Sequence, residues 1–131
     1  MYGFTACCTL MDVGAFEPMI FTTVLTNVGD GYNPKTGIFT PPVAGLYEFS
    51  TSHMDYHDSR PTNFVIYVSD RLVCITYIAD PTNSDPLAGS CTTVGQVSTT
   101  DSVYVIMSSS TDAMPYEDKS FFSGHLIQAY E

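Results

Sequence analysis

Positive charge is the scarcest property of this sequence. Four Lys and Arg stand against fourteen Asp and Glu, a formal net charge of -10, which repels phosphate backbones and anionic membrane surfaces. That balance argues against nucleic acid as a partner. The same field attracts cations, calcium and basic protein patches among them, and also serves solubility. Apolar runs are short: none could span a bilayer, so membrane insertion is not expected. The opening residues, Met1 to Ala6, lack the charged start and apolar stretch of a signal peptide; any signal or stalk would lie before Met1. Catalytic signatures are also missing. There is no Gly-x-Ser-x-Gly elbow, no glycine loop to cradle phosphate, and no carboxylate pair set apart from ordinary turn aspartates, so an enzyme is not expected. Without a Cys-x-x-Cys pair there is no zinc-finger or dithiol-exchange spacing.

What is present favours strands. Seventeen Tyr and Phe, with abundant Thr, Val and Ile and no helical period, predict an all-β chain. At 131 residues it reads as one domain, 1–131, long enough to bury roughly two thirds of its unfolded surface. Residues 2–10 alternate, with Phe4, Ala6, Cys8 and Leu10 on one face. Met19 to Leu25 follows with Phe21, Thr23 and Leu25 on one side, then a turn-rich loop from Asn27 to Pro34, and a short edge strand over Thr36 to Thr40 before Pro41-Pro42. Gly45 opens a long strand whose Tyr47, Phe49 and Thr51 face the core, leaving Leu46, Glu48 and Ser50 for solvent or subunit contact. His53 to Pro61 reads as a polar exit from that strand. Further strands follow over Asn63 to Ser69, Leu72 to Ile78, Leu87 to Val97, Val103 to Met107 and Ser120 to Tyr130. Short strands spaced by turns make a β-sandwich or jelly roll.

One stretch has a stricter pattern. Phe21, Asn27, Tyr32, Phe39, Gly45, Tyr47 and Phe49 stand at spacings that resemble the signature of the C1q domain, the globular head of complement C1q. The ending Phe122-Ser123-Gly124-His125-Leu126 is similar to that family's closing strand. Asp101-Ser102-Val103 is similar to its Gly-Asp-x-Val turn, with Thr100 in place of Gly; Thr51 stands where an aromatic is usual. The resemblance implies a ten-stranded jelly roll of C1q and tumour-necrosis-factor type, a homotrimer, secretion to the extracellular space, and recognition of macromolecular patterns. Stand-alone members are numerous in invertebrate innate immunity, which implies a lectin-like protein binding microbial carbohydrates such as lipopolysaccharide or mannan. A trimeric structural or cytokine-like ligand for a protein receptor, or the assembly head of a collagen-like chain, is the alternative.

Four cysteines permit three pairings. A hairpin centred near Asn83 would set Cys74 opposite Cys91, either as a cross-strand disulfide or as two buried thiols. Adjacent strand residues point apart, so Cys7 and Cys8 are not expected to bridge each other. Both read as small core residues, Cys7 otherwise being a free thiol or a cross-link to another chain.

Candidate binding residues lie in the polar connections. Tyr56, with His57 and Asp58, and Tyr116, with Glu117, combine an aromatic face with acceptors, which suits sugar rings; Asn83 and Asp85 supply further polar contacts. Asp80 and Asp85 are candidate calcium ligands by their oxygen chemistry, although no Gly-punctuated calcium loop surrounds them. His53, Asp55 and His57 would share one side of an extended segment, a weak metal pattern set against an ordinary solvated loop.

Overall fold

The computed structural model describes residues 1–9, 17–55, 62–78, 87–107 and 120–130. Ten strands follow one another: β1 (Gly3–Thr9), β2 (Phe21–Val28), β3 (Tyr32–Asn33), β4 (Ile38–Phe39), β5 (Gly45–Asp55), β6 (Thr62–Val68), β7 (Arg71–Ile78), β8 (Leu87–Val97), β9 (Val103–Met107) and β10 (Phe121–Ala129). They form two five-stranded sheets, ordered β2-β1-β10-β5-β8 and β3-β4-β9-β6-β7, with antiparallel pairing throughout. The expected all-β jelly roll is what forms.

The core lies between the sheets and is mostly aromatic. Phe4 stacks on Tyr32 and Phe39, and meets Phe122 edge-on at 4.8 Å between ring centroids. Tyr47 and Phe49 face inward from β5 as the alternation requires, and the inward row continues through Thr51 to His53. Gly124 is what lets β10 cross this layer. A Cβ there would stand 2.6 Å from Phe49 Cδ1 and 2.8 Å from Phe4 Cε1, inside contact distance.

The signature residues acquire physical roles. The Asn27 amide donates to the Tyr32 carbonyl at 2.9 Å and its oxygen accepts the Tyr32 N–H at 3.1 Å, imitating a strand pair across the tight turn. Tyr32 Oη donates to the Phe21 carbonyl at 2.8 Å and accepts the Phe21 N–H at 3.0 Å. Burial raises that phenol to about 12, so it stays protonated as a donor. Tyr47 ties its hydroxyl to the Val43 carbonyl at 2.9 Å.

Several expectations are corrected. Leu25 is exposed, because the β1–β2 register slips between Thr5–Thr26 and Ala6–Val24, leaving Leu25 as the extra residue and turning Val24 to the core. The short strand β4 is flanked by β3 and β9, so the edge falls to β3. His53 belongs to β5 and is buried; it is not part of a polar exit.

Cys74 and Cys91 are bridged, as one of the two readings had it, but not across a hairpin. Cys74 lies on β7 and Cys91 on β8, the outermost strands of different sheets, so the bond fastens one sheet to the other. In the loop-entropy picture a closure of this length stabilises by about 3 kcal/mol. Cys7 and Cys8, expected to point apart, are disulfide-bonded to each other. The backbone resolves the conflict: Cys8 has φ 76, which breaks the strand alternation and swings its side chain towards its neighbour. Cys7 is the buried member, and Cys8, expected in the core, is only partly buried.

Candidate functional site

Of the residues expected to bind ligand, Tyr56, His57, Asp58, Asn83, Asp85, Tyr116 and Glu117 lie outside the described residues, as does Asp80 with its calcium role. The described residues offer a different surface, on the outer face of the second sheet.

This surface follows from strand alternation. On β6, Phe64, Ile66 and Val68 point into the sandwich, so Asn63, Val65 and Tyr67 point outward. On β9 the inward set is Val103, Val105 and Met107, which sends Tyr104 and Ile106 outward. On β7 the register opposes Ile66 to Cys74 but Tyr67 to Leu72, so Val73 is an extra residue and a bulge. The bulge keeps both Leu72 and Ile75 on the outer face, followed by Tyr77. Cross-strand rows result: Tyr104, Tyr67 and Leu72; then Ile106, Val65 and Ile75; then Asn63 and Tyr77. Leu72, Ile75 and Tyr77 are 52, 51 and 65% exposed. Val65 and Ile106 point outward yet are covered, at 1 and 9% exposed, so the solvent-facing apolar side chains of this face run along β7 as Leu72, Ile75 and Tyr77. Exposed apolar side chains grouped in this way mark a contact surface more often than scattered ones do.

The tyrosines are held in place. Tyr67 and Tyr104 stack with centroids 5.9 Å apart and planes 14° apart. The Tyr104 hydroxyl donates to the Ser69 carbonyl at 2.7 Å. Burial, then the nearby Asp70 carboxylate and Tyr67, raise its phenol above the ordinary value. The two stacked rings are therefore fixed in place, with polar groups at the Tyr104 hydroxyl end.

Beneath that end lies a clip that joins two turns. Asp101 accepts the Ser98 N–H at 2.8 Å and the Ser69 hydroxyl at 2.9 Å. The Ser98 amide, the two serine hydroxyls and Arg71 together hold its carboxyl below the usual range against the opposing effect of burial. Ser69, at φ 53, completes the link by donating its N–H to the Ser102 carbonyl at 2.7 Å. The Asp101-Ser102-Val103 turn signalled this position, although its role as a clip needed the fold.

The outer face of the first sheet has another character. Thr26, Thr5, Ser123, Ser50 and Thr92 align in one row across all five strands, with the Ser50 and Ser123 hydroxyls 2.9 Å apart. The next row carries Val28, Gly3, His125, Glu48 and Val94. A pocket of about 260 Å³ opens on this face beside Tyr2, Thr26 and His125.

His53 does not join Asp55 and His57 in a solvent-facing metal set. Its ring is buried, stacked on Phe64 at 3.9 Å, with Nε2 2.6 Å from the Thr51 hydroxyl. Among the described residues no three His, Cys, Asp or Glu side chains are grouped to hold a metal ion.

Two antiparallel five-stranded sheets with this strand order define a jelly-roll sandwich of the C1q and tumour-necrosis-factor type. The family model of the C1q domain matches residues 3–127, and the chain belongs to that family. It is similar to the globular domain of zebrafish complement 1qA protein at 20% identity and TM-score 0.85, over 99% of this chain and 100% of that one. It is also similar to Eiger TNF from S. frugiperda (12% identity, TM-score 0.79, 99% and 94% covered). Murine APRIL shares the fold at 12% identity and TM-score 0.72, with 94% and 96% covered. Among the described residues no helix is long and apolar enough to cross a membrane.

Proposed function

We propose that this chain is a secreted, single-domain C1q-type lectin that assembles as a homotrimer and binds microbial carbohydrates, lipopolysaccharide or mannan among them, without catalysing a reaction. The observation that carries this reading is the fixed Tyr67–Tyr104 ring pair beside the Ser69 carbonyl and the Asp70 carboxylate, with the exposed Tyr77 further along the same outer face. A sugar ring has an apolar face that stacks on an aromatic plane and hydroxyls that need acceptors at its edge. The loop residues Tyr56, His57, Asp58, Asn83, Asp85, Tyr116 and Glu117 extend the contact, and Asp80 with Asp85 supply a calcium site where the ligand requires one.

Assembly uses the first sheet. Its exposed apolar side chains include Leu25 and Val28 on β2 at one edge and Val94 on β8 at the other, with Phe121 and Ile127 on the central β10. Different patches on opposite edges pair head to tail, which closes into a ring when the rotation permits.

The same tyrosine face supports a second reading. Leu72 and Ile75 add aliphatic area that sugars use poorly and protein partners use well, which fits a cytokine-like ligand for a receptor or the head of a longer assembled chain. A glycan array with and without calcium separates the two. Saturable binding that is lost in Tyr67→Ala and Tyr77→Ala supports the lectin and this face. Binding that survives both substitutions moves the site to the loops, and silence at high protein concentration sinks the lectin in favour of a protein receptor. Sedimentation at the mass of one chain would overturn the trimer.

A further inference from the structure

We infer that the Cys7–Cys8 disulfide is a reversible modification site, opened by extracellular thiols while the Cys74–Cys91 bridge stays closed. The two bonds differ in what they can do for the fold. Cys74 and Cys91 are 17 residues apart and tie two sheets together, so their bond restrains a long stretch of unfolded chain. Cys7 and Cys8 are neighbours, and a bond between neighbours closes no loop, so the unfolded chain loses almost no freedom by it. Global stability therefore gives no reason for this bond.

Its effect is local. Cys8 sits at φ 76, in the left-handed region that a non-glycine residue rarely occupies. There its N–H donates to the Ser120 carbonyl at 3.0 Å, and its carbonyl accepts the Thr22 hydroxyl at 2.8 Å. The last turn of β1 is thus joined to the residue that leads β10 and to β2 through a residue in an unfavourable conformation. Once the bond is gone, Cys8 is free to return to the extended region, and both hydrogen bonds must rearrange.

Access favours the same sulfur. Cys8 is partly exposed whereas Cys7 is buried at 8%, so an incoming thiolate meets Cys8 first. The thiolate attacks Cys8 Sγ, forming a mixed disulfide and expelling the Cys7 thiolate, which takes a proton from water. A second thiolate attacks the mixed disulfide at the sulfur of the first reagent and releases the Cys8 thiolate, which is protonated in turn. The net change is two small thiols oxidised to their disulfide and one protein disulfide reduced to two thiols. The modifying class is a small-molecule thiol or a dithiol protein.

The test is an equilibrium titration of the folded protein with reduced and oxidised glutathione, followed by alkylation and peptide mass spectrometry. Cys7 and Cys8 should acquire label at roughly tenfold lower reduced glutathione than Cys74 and Cys91. Hydrogen exchange should quicken at the Cys8 amide and at the start of β10 over the same range. A Cys7→Ser/Cys8→Ser double variant should fold, melt near the wild type, and show the quickened exchange without any reductant. Labelling of Cys7 and Cys8 in the protein before any thiol is added would overturn the proposal. So would a pair that opens only with or after Cys74–Cys91, or a double variant whose exchange matches the oxidised wild type.

Discussion

Thr51 and His53, two residues apart on β5, share one buried hydrogen bond whose direction is fixed from outside the pair. The Thr51 hydroxyl gives its proton to the Phe121 carbonyl at 2.8 Å, so it can only accept from His53 Nε2 at 2.6 Å. His53 therefore carries its proton on Nε2, and its Nδ1 is a bare, buried acceptor without a partner among the described residues. Sealed between Phe64 and Phe21, the imidazole cannot charge cheaply.

Acid should therefore weaken the fold through this residue. Burial holds the folded-state pKa of His53 down at about 3, against about 6.5 for an unfolded chain. Between those values the unfolded state binds the proton and the folded state does not. Its contribution is complete above pH 6.5 and is lost as pH falls towards 3, about 2–3 kcal/mol by pH 4.5. Urea titrations from pH 7 to 4.5 should show that fall in the wild type, and a flatter profile in His53→Phe, which keeps the stack on Phe64.

Tyr32→Phe isolates the hydrogen bonds of the signature tyrosine. The ring stays, while the Phe21 N–H and carbonyl both lose their buried partner. A loss of about 2–4 kcal/mol is expected in chemical denaturation. A change below 0.5 kcal/mol would mean that water takes over the role.

Two glycines in the first sheet should respond in opposite ways. Gly124→Ala drives a methyl into the rings of Phe4 and Phe49 and should cost about 1–3 kcal/mol. Gly95→Ala meets nothing within 4 Å and should be neutral or stabilise by up to about 1 kcal/mol through the unfolded chain. Melting temperatures of the two variants, compared side by side, decide it.

Removing the inter-sheet bond by Cys74→Ala/Cys91→Ala should lower stability by about 2–4 kcal/mol. Hydrogen exchange should rise first along β7 and β8, the strands it joins. Uniform loosening across both sheets would instead place the effect in the unfolded state alone.

Much of the fold was legible in local pattern. The period of two that put Tyr47, Phe49 and Thr51 inward holds, and carried two residues further it would have placed His53 in the core; the polar flanks of His53 hid it. Leu25 was misread because a bulge shifts the period by one and leaves no mark in the residues themselves. The Cys74–Cys91 pairing was visible as spacing, but its inter-sheet nature was not, since the chain changes sheets between β7 and β8. Cys8 could not be read at all, because a left-handed φ at a non-glycine residue has no sequence signal. The tyrosine face was hidden for another reason. Tyr67, Tyr77 and Tyr104 belong to three strands, and only the register of β9, β6 and β7 brings them to one outer face, whereas loop tyrosines announce themselves by their polar neighbours.

The Cys74–Cys91 bond has a mechanical meaning. Among the described residues the two sheets also meet through the packed aromatic core and through the Tyr32–Phe21 hydrogen bonds, non-covalent contacts that yield gradually under tension. A partner pulling on the face that holds Leu72, Ile75 and Tyr77 pulls on β7, and β7 is bonded to β8 by a covalent link a few residues away. Force applied to one sheet thus reaches the other without first shearing the aromatic core, so the domain should keep its shape on a surface that moves.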